Sequence, residues 1–234
     1  MPERVSSMRE ALQDGRRLRG TFVKLPSVEV VEMAAGALDF AVVDLEHSQL
    51  AEGDALRLLH HAWALGFPAL LRVPELDRGL VNRALEAGAA GIQLSSVRSA
   101  ADVHELRDAC LYAPHGTRSV SLAHSLAAFG GTTLHDYLAS VAAPLIVIQI
   151  ETAETDDPLE TLLGAGADVA FVGMTDLAVD YELDGGRVQA RVDEIAAAAA
   201  GAGVALGGFG TDERFLYSVA SSDLALLHAA YADA

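Results

Sequence analysis

Eight short apolar runs recur along this chain, and stretches with helical spacing lie between most of them. The runs are Gly20 to Leu25, Phe40 to Leu45, Ala69 to Val73, Gly91 to Leu94, Leu145 to Ile150, Val169 to Gly173, Val204 to Gly208 and Leu224 to Leu227. A continuous apolar run reads as a strand buried on both faces, and strands that alternate with helices read as parallel βα units. Eight such units close a (β/α)8 barrel, so the predicted fold is an α/β TIM barrel. The chain has 234 residues, 51% of them apolar, which suits one large core and one domain over 1–234.

The segments between the runs place apolar residues on one helical face: Val28, Val31 and Ala35; Leu56, Leu59 and Trp63; Val81, Leu85 and Ala89; Val103, Leu106 and Leu111. Ser27, Asp77 and Ser99 stand where N-caps belong, and Gly36, Gly66, Gly88 and Gly203 where helices end. The Ala196 to Ala200 stretch has high helix propensity and reads as helix. Two irregularities stand out. Pro114 to Ala143 is too long for an ordinary connection and is expected to put an ordered loop and a helix at the barrel mouth. Only seven residues follow Leu227, so the C-terminal helix is expected to be shortened or absent.

The formal net charge is -17 and the sequence pI about 4.7, which repels a phosphate backbone and anionic lipid. Nucleic acid and membrane surfaces are therefore excluded as expected partners, while small anionic substrates stay possible beside local arginines. A single cysteine, Cys110, cannot form an internal disulfide and fits a reducing compartment. The stretch Met1 to Arg19 is charged, with no apolar h-region, and no run reaches the length of a membrane span, so a cytoplasmic location is expected.

In a barrel, functional residues gather at the C-terminal ends of the strands. Lys24, Asp44, Glu46, His47, Arg72, Gln93, Glu151 and Asp176 all fall there. Glu151 and Asp176 end consecutive strands, and a carboxylate is costly to bury without a partner. With no cysteine nearby, the pair points to one shared hard cation such as Mg2+ or Mn2+, against the alternative of two capping or loop carboxylates. In Asp44-Leu45-Glu46-His47 the aspartate can fix the tautomer of the histidine for acid–base work, against the alternative of a satisfied buried histidine. Arg72 suits an enolate or carboxylate oxygen, or else an ion pair at the rim. Arg118 lies in the long loop, as a substrate contact or a solvated charge. Lys24 is the sole lysine and could form a Schiff base with a carbonyl substrate, or serve as an ion-pair partner.

Several ordered motifs together resemble the HpcH/HpaI group of metal-dependent aldolases acting on 2-oxo acids. They are Val43-Asp44-Leu45-Glu46-His47, Leu71-Arg72-Val73-Pro74, Leu85-Glu86-Ala87-Gly88-Ala89-Ala90-Gly91, Pro114-His115-Gly116-Thr117-Arg118, Gln149-Ile150-Glu151-Thr152 and Val172-Gly173-Met174-Thr175-Asp176-Leu177. The resemblance implies that Glu151 and Asp176 hold a divalent metal (Mg2+, Mn2+ or Co2+) chelated by pyruvate. It implies that Arg72 stabilises the enolate with Gln149 nearby, that backbone around Gly173 and Thr175 receives the carboxylate, and that His47, oriented by Asp44, acts as base. The reaction implied is cleavage or formation of the C3–C4 bond of a 4-hydroxy-2-oxo acid, giving pyruvate and an aldehyde.

Met174 replaces a common proline, Glu86 a common aspartate, and Gln93-Leu94-Ser95-Ser96 a more apolar stretch. These changes bear on pocket shape. The aldehyde is expected to be set by loop residues such as His115, Arg118, His124 and Phe129 and by neighbouring subunits. By resemblance the partners are a small 2-oxo acid and an aldehyde, in a hexameric or trimer-based homo-oligomer whose last helix is typically exchanged. A related lyase acting on a thioester or citrate-like acid, a Schiff-base aldolase using Lys24, and a non-catalytic barrel that binds a 2-oxo acid stay open as alternatives.

Overall fold

The structure, a computed structural model, describes residues 2–233. Its strands are β1 (Leu18–Val23), β2 (Phe40–Asp44), β3 (Ala69–Val73), β4 (Gly91–Leu94), β5 (Leu145–Ile150), β6 (Val169–Val172), β7 (Ala205–Phe209) and β8 (Tyr217–Ser222). Each pairs in parallel with its chain neighbour, and β1 pairs with β8 to close the ring. The helix α1 (Pro2–Gln13) precedes the barrel. After it, α2 (Val28–Ala35), α3 (Glu52–Leu65), α4 (Arg78–Glu86) and α5 (Ala100–Cys110) follow β1 to β4 in turn. A short α6 (Leu134–Ser140) precedes β5, α7 (Leu159–Gly164) follows it, and α8 (Met174–Asp180) and α9 (Gly185–Ala202) follow β6. The last helix is α10 (Asp223–Ala232).

Strand periodicity decides which side chains face the barrel axis. Phe40 and Val42, Leu70, Leu145 and Val147, Val169 and Phe171, and Tyr217 and Val219 pack together inside. Their alternates, among them Ala41, Val43, Leu71, Ile146, Ile148 and Val172, pack against the helices. One further step along the inward rows reaches Asp44, Arg72, Gln93 and Gln149, all buried. Register sets Asp44 beside Arg72 and Arg72 beside Gln93. The alternation that fills the core thus delivers polar groups to the mouth.

The opposite end is shut by α1, whose Val5, Met8, Ala11 and Leu12 join the interior cluster. Arg9 fastens it there, donating from Nε and Nη2 to Asp168 at 2.9 and 3.0 Å and to the carbonyls of Ala143 and Pro144. Predicted caps form at Asp77, which accepts from the Leu80 N–H, and at Ser99, in a capping box with Asp102. Ser27 occupies its N-cap position without a side-chain cap bond and donates to Glu29 instead.

Two expectations are corrected, and the expected shortening of the last helix is observed. The eighth strand is Tyr217–Ser222, and Leu224 to Leu227 lies in α10. Its apolar run reads as strand, but Ser222 caps a helix there by accepting from the Ala225 N–H. The real strand carries serines and a register shift against β1 at Gly20/Thr21, so its apolar signal is weak. The barrel consequently ends on a helix, a short one of ten residues. The long segment after α5 does not sit at the mouth, because a helix that follows a parallel strand returns the chain to the strands' N-terminal side. There it lines a cavity of about 190 Å3 with Val5, Gly88, Tyr137 and Pro144.

Among the described residues, no helix is long and apolar enough to cross a membrane. Phe40 is fully buried and stacks on Tyr217 with ring centroids 4.3 Å apart. Phe40→Ala should lower unfolding free energy by about 3–5 kcal/mol in a urea titration, since it opens a cavity in a packed interior.

Candidate active site

Asp44 lies at the centre of the mouth and is fully buried. Arg72 grips it through two hydrogen bonds, Nε to Oδ1 at 2.8 Å and Nη2 to Oδ2 at 2.7 Å. Lys24 Nζ stands 3.2 Å from the same Oδ2 and donates to the carbonyl of His47 at 3.1 Å. The backbone N–H groups of Glu46 and His47 close the turn by donating to Oδ1. Burial would raise the Asp44 pKa, but the hydrogen bonds and charge of Arg72, the His47 N–H and the charge of Lys24 outweigh it. The carboxyl is therefore held below the ordinary aspartate range.

This geometry revises the expected Asp44–His47 pairing. Asp44 holds the histidine through its backbone, while the ring is turned outward with a side chain 56% exposed. Its Nε2 lies 3.7 Å from Glu46 Oε2. Glu46 in turn takes a hydrogen bond from Ser95 Oγ at 2.6 Å and faces Arg72 Nη1 at 3.3 Å. Lys24, Arg72, Asp44 and Glu46 thus form a cluster of two cations and two anions, balanced before any substrate enters.

Across the mouth, Glu151 is buried at the end of β5. Its Oε1 accepts from the Ser96 N–H at 2.8 Å and Ser96 Oγ at 2.7 Å, and its Oε2 accepts from Gln149 Nε2. Gln149 is oriented by Gln93, whose Nε2 donates to Gln149 Oε1 at 2.9 Å. Gly173 makes room for this carboxylate: a Cβ there would lie 2.5 Å from both Cβ and Oε2 of Glu151. Its own N–H is spent on the carbonyl of Ile150, so it is unavailable to a substrate carboxylate. Thr175 and Asp176 are exposed in the first turn of α8.

A cavity of about 380 Å3 brings together Lys24, His47, Arg72, Gln149, Gly173, Thr175 and Asp176. Arg118 is not among them. It packs along α4 and α5, donating from Nε to Asn82 at 3.0 Å and lying over the Tyr112 ring. His124 and Phe129 belong to the same long segment and likewise do not line this cavity.

The donor set suits a hard cation. Glu151 and Asp176 have no basic side chain within ion-pair distance among the described residues, and the cradle at Gly173 admits the Glu151 carboxylate but no side chain. Among the described residues no group of three or more His, Cys, Asp or Glu gathers as a metal cluster, so water or substrate oxygens would complete such a shell. Sequence reasoning missed Ser95 and Ser96 as partners of Glu46 and Glu151. Ser96 has a left-handed backbone with φ of 53°, a conformation no apolar pattern announces.

The chain matches a known family: the model for HpcH/HpaI aldolase/citrate lyase covers residues 19–221. The chain belongs to that family. It is 32% identical over 179 residues to a 4-hydroxy-4-methyl-2-oxoglutarate aldolase of Hapsidospora irregularis, covering 72% of this chain and 66% of that enzyme. It is 31% identical over 218 residues to a hydroxypyruvate/pyruvate aldolase of Paraburkholderia phytofirmans, covering 88% of this chain and 83% of the other. The match to the Hapsidospora enzyme thus spans just under two thirds of that protein's length. A solved HpcH/HpaI aldolase/citrate lyase family protein from Burkholderia cenocepacia superposes with a TM-score of 0.87 at 27% identity, covering 97% of this chain and 96% of the other.

Because the pKa of Asp44 is lowered in the folded state, its ionised form stabilises the fold above the unfolded value of about 4, and that stability is lost as pH falls through the lower folded value. Urea midpoints followed downward from neutral pH should drop below about pH 4. Asp44→Asn should start lower and flatten that drop.

Proposed function

We propose that this chain is a carbon–carbon lyase, a divalent-metal-dependent aldolase that cleaves or forms the C3–C4 bond of a 4-hydroxy-2-oxo acid. One observation carries the reading: Asp176 shares a cavity with Arg72 and His47, and Glu151, likewise without a basic partner among the described residues, lies against two residues of that cavity's lining, Gln149 and Gly173. The names of the aligned aldolases agree with this reaction class.

Glu151 and Asp176 would hold the ion, and Mg2+, Mn2+ or Co2+ bound there supplies a Lewis acid for the oxygens of the 2-oxo acid. In cleavage, the exposed imidazole of His47 takes the proton of the C4 hydroxyl. The C4–O bond becomes a carbonyl, the C3–C4 bond breaks, and its electrons form a C2–C3 double bond with negative charge on the C2 oxygen. Arg72 is placed to meet that charge. Two of its five N–H donors bond Asp44, its Nη1 stands 3.3 Å from Glu46 Oε2, and the guanidinium lines the cavity. Proton return to C3 completes pyruvate.

Asp44 keeps the guanidinium from swinging, and its lowered pKa keeps it ionised at neutral pH. Lys24 fits this scheme as a fixed cation. Its Nζ is tied to Asp44 and to the His47 carbonyl, contacts it would have to give up to attack a substrate carbonyl as a Schiff base requires.

The reading also includes a homo-oligomer. Helix α10 exposes Leu224, Leu226, Leu227 and Tyr231 together, an apolar surface that association would cover. Light scattering at micromolar concentration should give a mass well above the 24.5 kDa of one chain. For the chemistry, chelation should abolish pyruvate release from a 4-hydroxy-2-oxo acid and added Mg2+, Mn2+ or Co2+ should restore it. Glu151→Gln and Asp176→Asn should each lower it by about 100-fold or more with the circular dichroism unchanged. Full turnover in excess chelator would defeat the proposal.

A further inference from the structure

We infer that the aldehyde half of the substrate is uncharged and apolar, so that the preferred 4-hydroxy-2-oxo acid carries a single carboxylate and an aliphatic or aromatic tail. This rests on the aldolase reading and goes further, to the class of aldehyde. The first ground is the wall of the cavity. Phe209 closes the end of β7 with half of its surface exposed, stacked on Phe22 at 6.3 Å between centroids and 15° between planes. Phe171 meets Phe22 edge-on at 6.2 Å, and Met174 continues the lining. An aromatic ring left half in water at a mouth gains by covering itself with an apolar tail, at about 25 cal/mol per Å2.

The second ground is charge. The only lysine and arginine lining this cavity are Lys24 and Arg72, and both are neutralised, Lys24 by Asp44 and Arg72 by Asp44 and Glu46. Arg72 is further covered by the Phe22 ring, 4.2 Å from its Cζ. The first carboxylate of a substrate has the metal pair to meet. A second, at the far end of the tail, finds no free cation, a wall of aromatic rings, and a protein of net charge -17. Desolvating it there has no compensation.

The test compares tails of one length. Pyruvate release is measured from 4-hydroxy-2-oxohexanoate, which yields propanal, and from 4-hydroxy-2-oxoadipate, which yields 3-oxopropanoate, with the same divalent metal. Binding of the unreactive 2-oxohexanoate and 2-oxoadipate is measured by calorimetry. The monocarboxylates should win by about tenfold or more in kcat/KM and in Kd. Phe209→Arg should narrow or invert both ratios. Equal or faster cleavage of the dicarboxylate overturns the specificity and leaves the aldolase reading standing. Cleavage of neither overturns both.

Discussion

The mouth of this barrel depends on one buried carboxylate. Asp44 is inaccessible to water, yet it accepts from Arg72 twice, from two backbone N–H groups, and lies in ion-pair contact with Lys24. Each partner comes from a different place: β3, the turn after β2, and the end of β1. Neutralising or removing that charge would take from a buried guanidinium its only hydrogen-bonded carboxylate and leave it Glu46 alone at 3.3 Å, and breaking a buried pair costs about 3–5 kcal/mol where it has been measured. The same interactions that stabilise the pair also hold the arginine in one orientation. Stability and preorganisation are here one set of bonds.

The other half of the mouth solves the opposite problem. Glu151 is buried with neutral donors only, Ser96 and Gln149, and is left with no positive charge of its own. Gly173 opposite it removes the side chain that would block the approach. One carboxylate is satisfied internally and the other is left wanting a cation. That asymmetry distinguishes Asp44 from Glu151, the carboxylate proposed to hold the ion, although sequence position alone treats them alike.

How much of this was legible in the sequence follows from the physics of each element. Runs such as Leu145 to Ile150 carry their own evidence, because a parallel strand between helices must be apolar on both faces. Strand-end polar residues were readable for the same reason, as interruptions of such runs. The final strand was not, since Tyr217–Ser222 is half serine and pairs irregularly, while the leucines after it belong to a helix. Arg118 was misplaced because spacing does not tell which end of the barrel a long connection visits. The serines beside Glu46 and Glu151 escaped because a side-chain hydrogen bond across 49 or 55 residues leaves no local pattern.

Asp223 brings a temporal consequence to this geometry. At the start of α10 its carboxylate accepts from the backbone N–H groups of Lys24 and Leu25, across 199 and 198 residues of chain. Contacts of such separation form only after the intervening loop has been closed, and they weigh heavily on folding speed. The rim that holds the lysine is therefore completed in the same event that joins the last strand to the first. A barrel with seven strands in place would already own Asp44, Arg72 and Glu151, yet its lysine corner would still be loose. Competence should arrive late and all at once, with ring closure.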